Sequence, residues 1–325
     1  MPSITLRAVN VYKTFQPART FGQEVLALFH KKRASSGVQA VRGLDLTVRA
    51  GEILGLVGES GSGKSTLGRL LSGLYAPDQG QVYYAGQDLA TFSRQEKILF
   101  FQKVQFMFQD PASALNPRLN ARAALMEGLI VHKLGDRAAR RDKVNRLLTE
   151  VGLDPSLADR YPHQFSGGQR QRLSLARALC LDPEILVADE PASSLDVSIQ
   201  AQIINLLLDL KEKRGLTMVL ISHDLPLVAL LADRVAVMYG GLLMEIIPRD
   251  LLGQVQHHPY VEALWASTLG QDGQRILAGE PPNPQNPPPG CPFEPRCPEA
   301  MAICQKSLAP MKSDQPERFW ACHAR

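Results

Sequence analysis

The amino-acid sequence predicts an α/β fold with a mainly parallel sheet at its core. Short apolar runs of strand length recur at residues 51–57, 185–188, 217–221 and 235–238. Helical stretches separate these runs, and this alternation is typical of parallel strands that are buried on both faces. The first run ends in a glycine-rich loop, which leads into a helix-like segment at residues 66–74.

The other segments predict the remaining architecture. The N-terminal residues are expected to form an antiparallel β part, and residues from about 110 to 170 have the Ala-, Leu- and Arg-rich periodicity of an inserted helical subdomain. We expect the main domain over residues 1–250 and a connecting helical region over residues 251–280. The sequence PPNPQNPPPG at residues 281–290 predicts a stiff, extended connector, and residues 291–325 form a small cysteine-bearing tail.

The charge balance argues against nucleic acid as a partner. Lys and Arg total 36 and Asp and Glu total 32, so the formal net charge is only +4, and the basic residues are scattered among acids. The start of the chain, MPSITLRAVNVYKTF, has no leader-like apolar core, and charges interrupt every long apolar run. We therefore expect a cytoplasmic protein that contacts membranes only through partners.

The glycine-rich loop carries the first functional motif. It reads GESGSGKST and matches the pattern G-x-x-x-x-G-K followed by Ser or Thr, between a predicted strand and a predicted helix. Small residues let backbone N–H groups approach phosphate oxygens closely, so the loop predicts nucleotide binding. Within it we expect Lys64 to bridge the outer phosphates and Ser65 to hold Mg²⁺. The predicted ATP-binding residues are Gly58, Glu59, Ser60, Gly61, Ser62, Gly63, Lys64, Ser65 and Thr66.

Two further motifs follow in the second half of the chain. The run ILVADE at residues 185–190 is a buried strand that ends in two carboxylates. We expect Asp189 to coordinate Mg²⁺ through water and Glu190 to orient or deprotonate an attacking water. The run FSGGQ at residues 165–169 begins a stretch of good helix formers.

In this order, the motifs resemble those of the ATPase family of ATP-binding cassette proteins, across roughly residues 1–250. The resemblance implies a P-loop NTPase cassette fold with ATP and Mg²⁺ as ligands. It places Gln109, in FMFQDP, in a loop that senses Mg²⁺ and a partner, and it makes His223, in ISHD, a contact of the γ-phosphate. It also implies that two such domains close head to tail around two ATP molecules. The resemblance further implies a signature sequence, Ser166, Gly167, Gly168 and Gln169, that caps the ATP bound by the second subunit.

Two assignments carried over from the family concern single positions. The family stacks adenine on an aromatic residue near the end of the first strand, which favours Phe15 over Tyr12, while Phe21 is an alternative. The SSLD run at residues 193–196 falls where the family has a loop between the two subunits. Ser194 replaces the Ala that is commoner in this loop, and we expect the replacement to have a mild effect.

The tail narrows the resemblance to one branch of the family. The long first hairpin, the NPR run at residues 116–118 and the tail sequence GCPFEPRCPEAMAIC resemble the ATPase subunits of peptide and nickel importers. Such a subunit lies on the cytoplasmic face of the cell membrane with two permeases, a second related ATPase and an extracytoplasmic binding protein. Peptides are the commonest cargo in that branch, and nickel chelates or other small solutes are alternatives. A soluble cassette ATPase for repair, translation or cluster assembly is the competing class.

The five cysteines fall into two groups. Cys180 lies in an apolar helix and is predicted to be an inert, buried thiol. The other four follow the proline-rich connector, where a cytoplasmic location disfavours disulfides and leaves a metal site or free thiols. Their spacing lacks the short C-x-x-C steps of common zinc sites, so we favour a four-iron four-sulfur cluster over zinc. The predicted cluster ligands are Cys291, Cys297, Cys304 and Cys322.

Overall fold

The computed structural model describes residues 4–16, 37–193, 195–268 and 279–325 of the chain. The strands of these residues are β1 (Ile4–Phe15), β2 (Val38–Arg49), β3 (Ile53–Val57), β4 (Gln79–Tyr84), β5 (Gln87–Asp88), β6 (Val104–Met107), β7 (Ile185–Asp189), β8 (Thr217–Ser222), β9 (Arg234–Tyr239), β10 (Leu242–Pro248) and β11 (Phe319–Trp320). The helices are α1 (Lys64–Leu71), α2 (Arg94–Lys103), α3 (Pro111–Ala114), α4 (Ala121–Val131), α5 (Arg137–Glu150), α6 (Gly167–Leu179), α7 (Val197–Arg214), α8 (Leu225–Leu231) and α9 (Pro259–Thr268).

The strands of this part of the chain form two sheets. The first has the order β2-β1-β4-β5 and is antiparallel throughout, as predicted for the N-terminal part. The second has the order β11-β10-β9-β3-β8-β7-β6, in which the five strands from β9 to β6 run parallel. β10 pairs antiparallel with β9, and β11 pairs antiparallel with β10. The predicted α/β fold with a mainly parallel core is confirmed.

The central strand β3 separates two hydrophobic cores. All five of its residues are buried, which explains its continuous apolar sequence. Ile53 and Val57 belong to the core beneath α6, α7 and α8, whereas Leu54 and Leu56 pack with the antiparallel sheet and α1. This alternation of side chains fixes β3 rigidly, so the loop that follows it starts from a firmly held position.

Helices occupy most of the segment predicted as an inserted subdomain. α4 and α5 pack against each other and against α6, and short 3₁₀ turns at Pro155–Asp159 and Pro162–Gln164 lead into α6. Val144, Leu147 and Leu148 form the buried face of α5. The division of the chain into domains stays a prediction. No helix of the described residues is both long and apolar enough to cross a membrane.

The C-terminal tail packs on the main sheet. β11 pairs with the edge strand β10, and the N–H of Ala321 donates to the carbonyl of Met244 at 2.9 Å. The carboxylate of Glu245, fully buried on β10, lies 3.0 Å from Nδ1 of His257 and 3.5 Å from Nε of Arg318 in the tail. The tail is therefore held to the sheet by backbone pairing and by a buried charge network.

The proline-rich connector lies along the antiparallel sheet. The carbonyl of Pro284 accepts a 2.9 Å hydrogen bond from the N–H of Gln39, and the carbonyl of Pro288 accepts one of 3.2 Å from Arg42. A turn closed by a 3.1 Å bond from the N–H of Asn286 to the carbonyl of Asn283 interrupts it. The connector is thus bent and docked, rather than extended throughout as the sequence predicts.

Candidate functional site

The loop between β3 and α1 adopts a conformation that requires glycine at two positions. Gly58 has φ 154° and Gly63 has φ 103°. A Cβ atom at Gly58 would lie 2.1 Å from the carbonyl oxygen of Met238, and one at Gly63 would lie 2.1 Å from that of Ala40. The two glycines therefore let the loop pack closely against neighbouring backbone just before the N-terminus of α1, the arrangement that phosphate binding needs.

Lys64 is buried at the start of α1. Its Nζ donates to the carbonyl oxygens of Gly58 at 2.7 Å and Glu59 at 2.9 Å. Burial lowers the pKa of Lys64, and the nearby carboxylates of Glu190, Asp189 and Glu59 oppose that shift. The loop also contains the buried Oγ of Ser62, which has no hydrogen-bond partner within the described residues. The buried ammonium of Lys64 and the unpartnered hydroxyl of Ser62 both suit a site that receives an anionic oxygen ligand.

Asp189 and Ser65 meet at the carboxyl end of the parallel strands. The hydroxyl of Ser65 donates to Oδ1 of Asp189 at 2.9 Å. Burial raises the pKa of Asp189, and the hydrogen bond from Ser65 acts in the opposite direction. A carboxylate and a hydroxyl oxygen on facing elements are ligands that Mg²⁺ prefers. These two residues therefore fit a magnesium site chemically, directly or through water.

Glu190 has a left-handed backbone conformation, with φ 45°. Its N–H donates to the carbonyl of Ile221 at 2.9 Å, which fixes this conformation at the end of β7. Such a backbone is costly for a residue other than glycine and points to a functional constraint. The carboxylate accepts a 2.9 Å hydrogen bond from Nε2 of Gln109, and it lies 3.2 Å from Nδ1 of His223. The structure thus brings together three residues that the sequence assigns to hydrolysis.

A cavity of about 450 Å³ opens over these residues. Ten of the predicted site residues line it, together with Val38 and Ala40, namely Phe15, Ser60, Gly61, Gly63, Lys64, Ser65, Thr66, Gln109, Glu190 and His223. Gly58, Glu59, Ser62 and Asp189 belong to the same loop and strand end but do not line it. The cavity volume suits a nucleotide-sized ligand.

The signature residues lie elsewhere, at the N-terminus of α6. Ser166 caps this helix, since its Oγ accepts from the N–H of Gln169 at 3.3 Å while Oε1 of Gln169 accepts from the N–H of Ser166 at 3.0 Å. Gly168 is buried, and a Cβ there would lie 2.8 Å from Ile199. Gly167 has more room. None of these four residues lines the cavity of their own chain.

Among the described residues, Phe15 lines the cavity, whereas Tyr12 does not. The ring of Phe15 contacts Tyr75 edge to face at a centroid distance of 5.5 Å. Tyr12 instead lines a different cavity, beside Arg42 and the tail. The alternative Phe21, and Ser194 in the predicted loop between subunits, lie outside the described residues. Adenine stacking on Phe15 stays a prediction.

Sequence reasoning missed the residues that hold Glu59. Arg296 contacts both carboxylate oxygens of Glu59, at 2.9 and 3.1 Å, and the hydroxyl of Tyr260 accepts from the Glu59 N–H at 2.9 Å. Arg296 lies 237 positions along the chain from Glu59. No local sequence pattern relates two residues so far apart, so the contact could not be found from motifs.

The four tail cysteines line one small cavity of about 10 Å³, with room for roughly one water molecule. Burial raises the pKa of Cys291 to about 11 and raises the pKa values of Cys297 and Cys322. The described residues contain no group of three or more His, Cys, Asp or Glu side chains arranged to hold a metal ion. The thiols are therefore close together, but the space between them admits an iron–sulfur cluster only if the sulfur atoms move apart.

Comparison with known proteins extends these observations. A family model described as "ABC transporter" matches residues 41–193, and one described as "Oligopeptide/dipeptide transporter, C-terminal region" matches residues 244–304. The chain is 49% identical over 301 residues to "Putative oligopeptide transport ATP-binding protein YkfD" of Bacillus subtilis (strain 168), over 90% of this chain and 91% of that protein. It is 46% identical to "Oligopeptide transport ATP-binding protein AppF" of the same organism, over 98% of this chain and 97% of that protein.

A solved structure shares the fold. "Dimeric structure of a post-hydrolysis state of the ATP-binding cassette MJ0796 bound to ADP and Pi" matches with a TM-score of 0.64 and 28% identity, over 75% of this chain and 98% of that chain. Fold and site together define a P-loop ATPase of the cassette type, which uses ATP and Mg²⁺. The similarity to its relatives runs from the phosphate loop into the C-terminal region. The chain belongs to the ABC transporter family.

Proposed function

We propose that this chain is the ATP-hydrolysing motor subunit of a membrane importer for dipeptides or oligopeptides. One observation carries the proposal, which is similarity over nearly the whole chain, tail included, to relatives named as oligopeptide transport ATP-binding proteins. Nickel or another small solute is the alternative cargo within the same importer class. The motor subunit does not itself contact cargo.

The cavity residues suggest a division of labour in hydrolysis. The N–H groups of the loop and Lys64 would bind the phosphates, while Ser65 and Asp189, with Gln109, would hold the metal. Mg²⁺, when bound, neutralises part of the phosphate charge. Glu190 orients or deprotonates the attacking water. His223 lies 3.2 Å from the Glu190 carboxylate and lines the same cavity, where it would contact the γ-phosphate.

The position of the signature supports a head-to-tail dimer. The N-terminus of α6 lies outside the cavity of its own chain, with Ser166 as its cap and Gly167 as its first residue. A helix N-terminus favours anionic ligands. A second, related ATPase subunit is the expected partner, so each ATP contacts the loop of one subunit and the signature of the other. The related cassette of known structure is described as dimeric.

A groove of about 380 Å³ next to Gln109 is the proposed docking place for a permease. Phe106 and Phe108 line it from the strand and loop that lead to Gln109, and Val131 lines it from the end of α4. Val131 is 70% exposed and its neighbour Ile130 is 52% exposed, and grouped exposed apolar residues mark interaction sites. A permease helix seated here would act on Gln109 and hence on the catalytic carboxylate.

The complete assembly would contain two permeases, two ATPases and an extracytoplasmic binding protein, with this chain peripheral on the cytoplasmic face of the cell membrane. The test is to express tagged Glu190→Gln protein in its native host, add ATP and Mg²⁺, solubilise membranes gently and identify co-purifying proteins by mass spectrometry. Recovery of a polytopic permease and a second ATPase is expected. Recovery from the soluble fraction with ribosomes, DNA or assembly proteins would overturn the importer assignment.

The groove can be tested separately with two matched substitutions. Val131→Glu places a charge in the groove and is expected to abolish co-purification of the permease without changing ATP binding. Leu230→Glu makes the same kind of change at a residue that is 74% exposed on α8, away from the groove, and is expected to leave the complex intact. Equal losses in both variants would contradict docking at the groove.

We also propose that the tail thiols ligate a four-iron four-sulfur cluster. All four line one cavity, and Cys304 and Cys322 are buried there, which supports a common ligand. The sulfur atoms must rearrange to admit one, because the cavity in this structure is too small. No step of ATP hydrolysis depends on the cluster. Anaerobic purification is expected to give visible absorbance with matching iron and acid-labile sulfide, and metal-free protein with an ordered tail would exclude the cluster.

A further inference from the structure

We propose, on the basis of the ATP site described above, that the C-terminal region positions the phosphate loop and that Arg296 is the positioning residue. Glu59, the second residue of the loop, is held by two groups from outside it, Arg296 and Tyr260, and Tyr239 in turn contacts Arg296. Arg296 follows the connector and precedes Cys297, whereas Tyr260 lies on α9 and Tyr239 ends β9. The region after the main sheet thus controls where the phosphate loop sits.

The contact between Arg296 and Glu59 has the geometry of a strong ion pair. Two guanidinium nitrogens donate to the two carboxylate oxygens at 2.9 and 3.1 Å, and the guanidinium also donates to the hydroxyl of Tyr239 at 2.8 Å. The side chain of Arg296 is only 6% exposed and that of Glu59 is 22% exposed. A bidentate pair with little solvent access fixes both position and orientation, unlike an exposed surface bridge.

The backbone of Glu59 is held as firmly as its side chain. The hydroxyl of Tyr260 accepts a 2.9 Å hydrogen bond from the Glu59 N–H, and Tyr260 is fully buried. Its ring packs against Tyr239 at a centroid distance of 4.5 Å and against Phe293 at 5.2 Å. Phe293 lies three residues before Arg296 and is also fully buried. An aromatic cluster therefore anchors both contacts to one rigid base.

Pairing with Arg296 also neutralises the negative charge of Glu59 in the phosphate loop. A free carboxylate on Glu59 would repel the polyphosphate of ATP and attract the ammonium of Lys64, whose Nζ already donates to the Glu59 carbonyl at 2.9 Å. The guanidinium neutralises that carboxylate at close range. Arg296 is thus expected to lower the cost of bringing phosphates into the loop, in addition to holding Glu59 in place.

The test compares equilibrium ATP binding by the full-length protein and its variants. Arg296→Gln is expected to raise the Kd for ATP about ten-fold, the scale of one lost, partly buried charge interaction. The defect should shrink as salt is added, because the unpaired carboxylate is then screened. Arg296→Lys keeps the charge but loses the bidentate contact, so it is expected to recover part of the affinity.

The double variant Glu59→Gln with Arg296→Gln separates the effect of the Glu59 charge from the effect of losing the contact between tail and loop. Without the carboxylate there is no unpaired charge, so it is expected to bind ATP more tightly than Arg296→Gln alone. Arg318→Gln is the control, because Arg318 is also a buried tail arginine with carboxylate partners, Glu245 and Asp314, but it lies away from the loop. It is expected to lower thermal stability and leave the Kd unchanged.

The outcomes separate this inference from the proposed function. Wild-type binding that is abolished by Lys64→Met would uphold the ATP site, and an unchanged Kd in Arg296→Gln would then overturn the positioning role alone. A double variant that binds ATP no more tightly than Arg296→Gln, or an equal loss of affinity in Arg318→Gln, would show that Arg296 only stabilises the fold. Either result would also overturn the positioning role. Wild-type protein that binds no ATP would overturn both.

Discussion

The side-chain amide of Gln109 donates a 2.9 Å hydrogen bond to Oε2 of Glu190. This bond joins the loop after β6 to the end of β7, and the second oxygen of the same carboxylate lies 3.2 Å from Nδ1 of His223, just after β8. One carboxylate therefore links three adjacent strands of the parallel sheet. A shift of the Gln109 loop that breaks the bond would free one carboxylate oxygen, so a partner seated on that loop could change the state of the catalytic group.

Glu190→Gln is expected to bind ATP normally and to hydrolyse it about 10²- to 10⁴-fold more slowly, because an amide cannot accept the proton of the attacking water. Phosphate release measures turnover, and equilibrium binding measures affinity. Size-exclusion chromatography with ATP should detect a trapped dimer.

The matched control for this variant is Glu184→Gln, which changes the residue just before the opposite end of the same strand. Glu184 pairs with Lys103 at 2.7 Å and is half exposed, so the substitution should leave turnover unchanged. Normal hydrolysis by Glu190→Gln would remove that residue from its assigned role.

Ser65→Ala is expected to weaken the magnesium site without weakening nucleotide binding itself. The substitution removes the hydroxyl that donates to Asp189 at 2.9 Å, so the Mg²⁺ concentration for half-maximal hydrolysis should rise by at least about ten-fold. ATP binding measured in EDTA should stay the same, because the loop N–H groups and Lys64 are untouched. Ser72→Ala, at the other end of α1, is the control and should not alter the Mg²⁺ dependence. A normal Mg²⁺ requirement in Ser65→Ala would count against the metal assignment.

The parts of the site that could be predicted are those written into short, contiguous stretches. The loop at residues 58–66 and the acid pair after β7 each follow a buried strand, and parallel strands bring their carboxyl ends to one edge of a sheet. Helix boundaries were less accurate. The sequence suggests that α1 begins near Thr66, but it begins at Lys64, because Gly63 adopts φ 103° and its carbonyl accepts from the N–H of Leu67.

Contacts between distant segments could not be predicted in the same way. β11 has only two residues, and its pairing with β10 depends on the buried network of Glu245, His257 and Arg318. The ion pair of Arg296 with Glu59 depends in the same way on how the tail docks. No periodicity or motif spacing in the sequence marks either contact. Both join segments that are far apart in the chain, and tertiary packing decides which distant segments meet.

Arg234→Met is expected to destabilise the fold by about 3–5 kcal/mol, because it leaves the carboxylate of Glu52 buried without its partner. Arg234 donates to both oxygens of Glu52, at 2.8 and 3.0 Å, and the two side chains are only 4% and 8% exposed. Urea unfolding followed by circular dichroism measures the difference. Lys103→Met breaks the exposed pair with Glu184 and should cost about 0–1 kcal/mol. Similar losses in both variants would show that burial does not set the strength of these pairs.

Cys180 is expected to resist alkylation in the folded protein. Burial at the end of α6 raises the pKa of its thiol from 9.0 to about 11, so at a given pH the folded state has about 100-fold less thiolate than the unfolded chain. Iodoacetamide labelling at mildly alkaline pH, read by peptide mass spectrometry, should leave Cys180 unmodified unless urea is present.

The same shift of the Cys180 pKa predicts how stability depends on pH. As the pH rises past 9, the unfolded chain loses the thiol proton first, while the folded protein keeps it until about pH 11. The contribution of the buried thiol to the free energy of unfolding is therefore complete below pH 9 and is lost progressively up to pH 11. Cys180→Ala should remove this part of the alkaline loss in urea titrations at several pH values. Rapid labelling of native Cys180, or an unchanged alkaline profile in Cys180→Ala, would contradict an inert, protonated thiol.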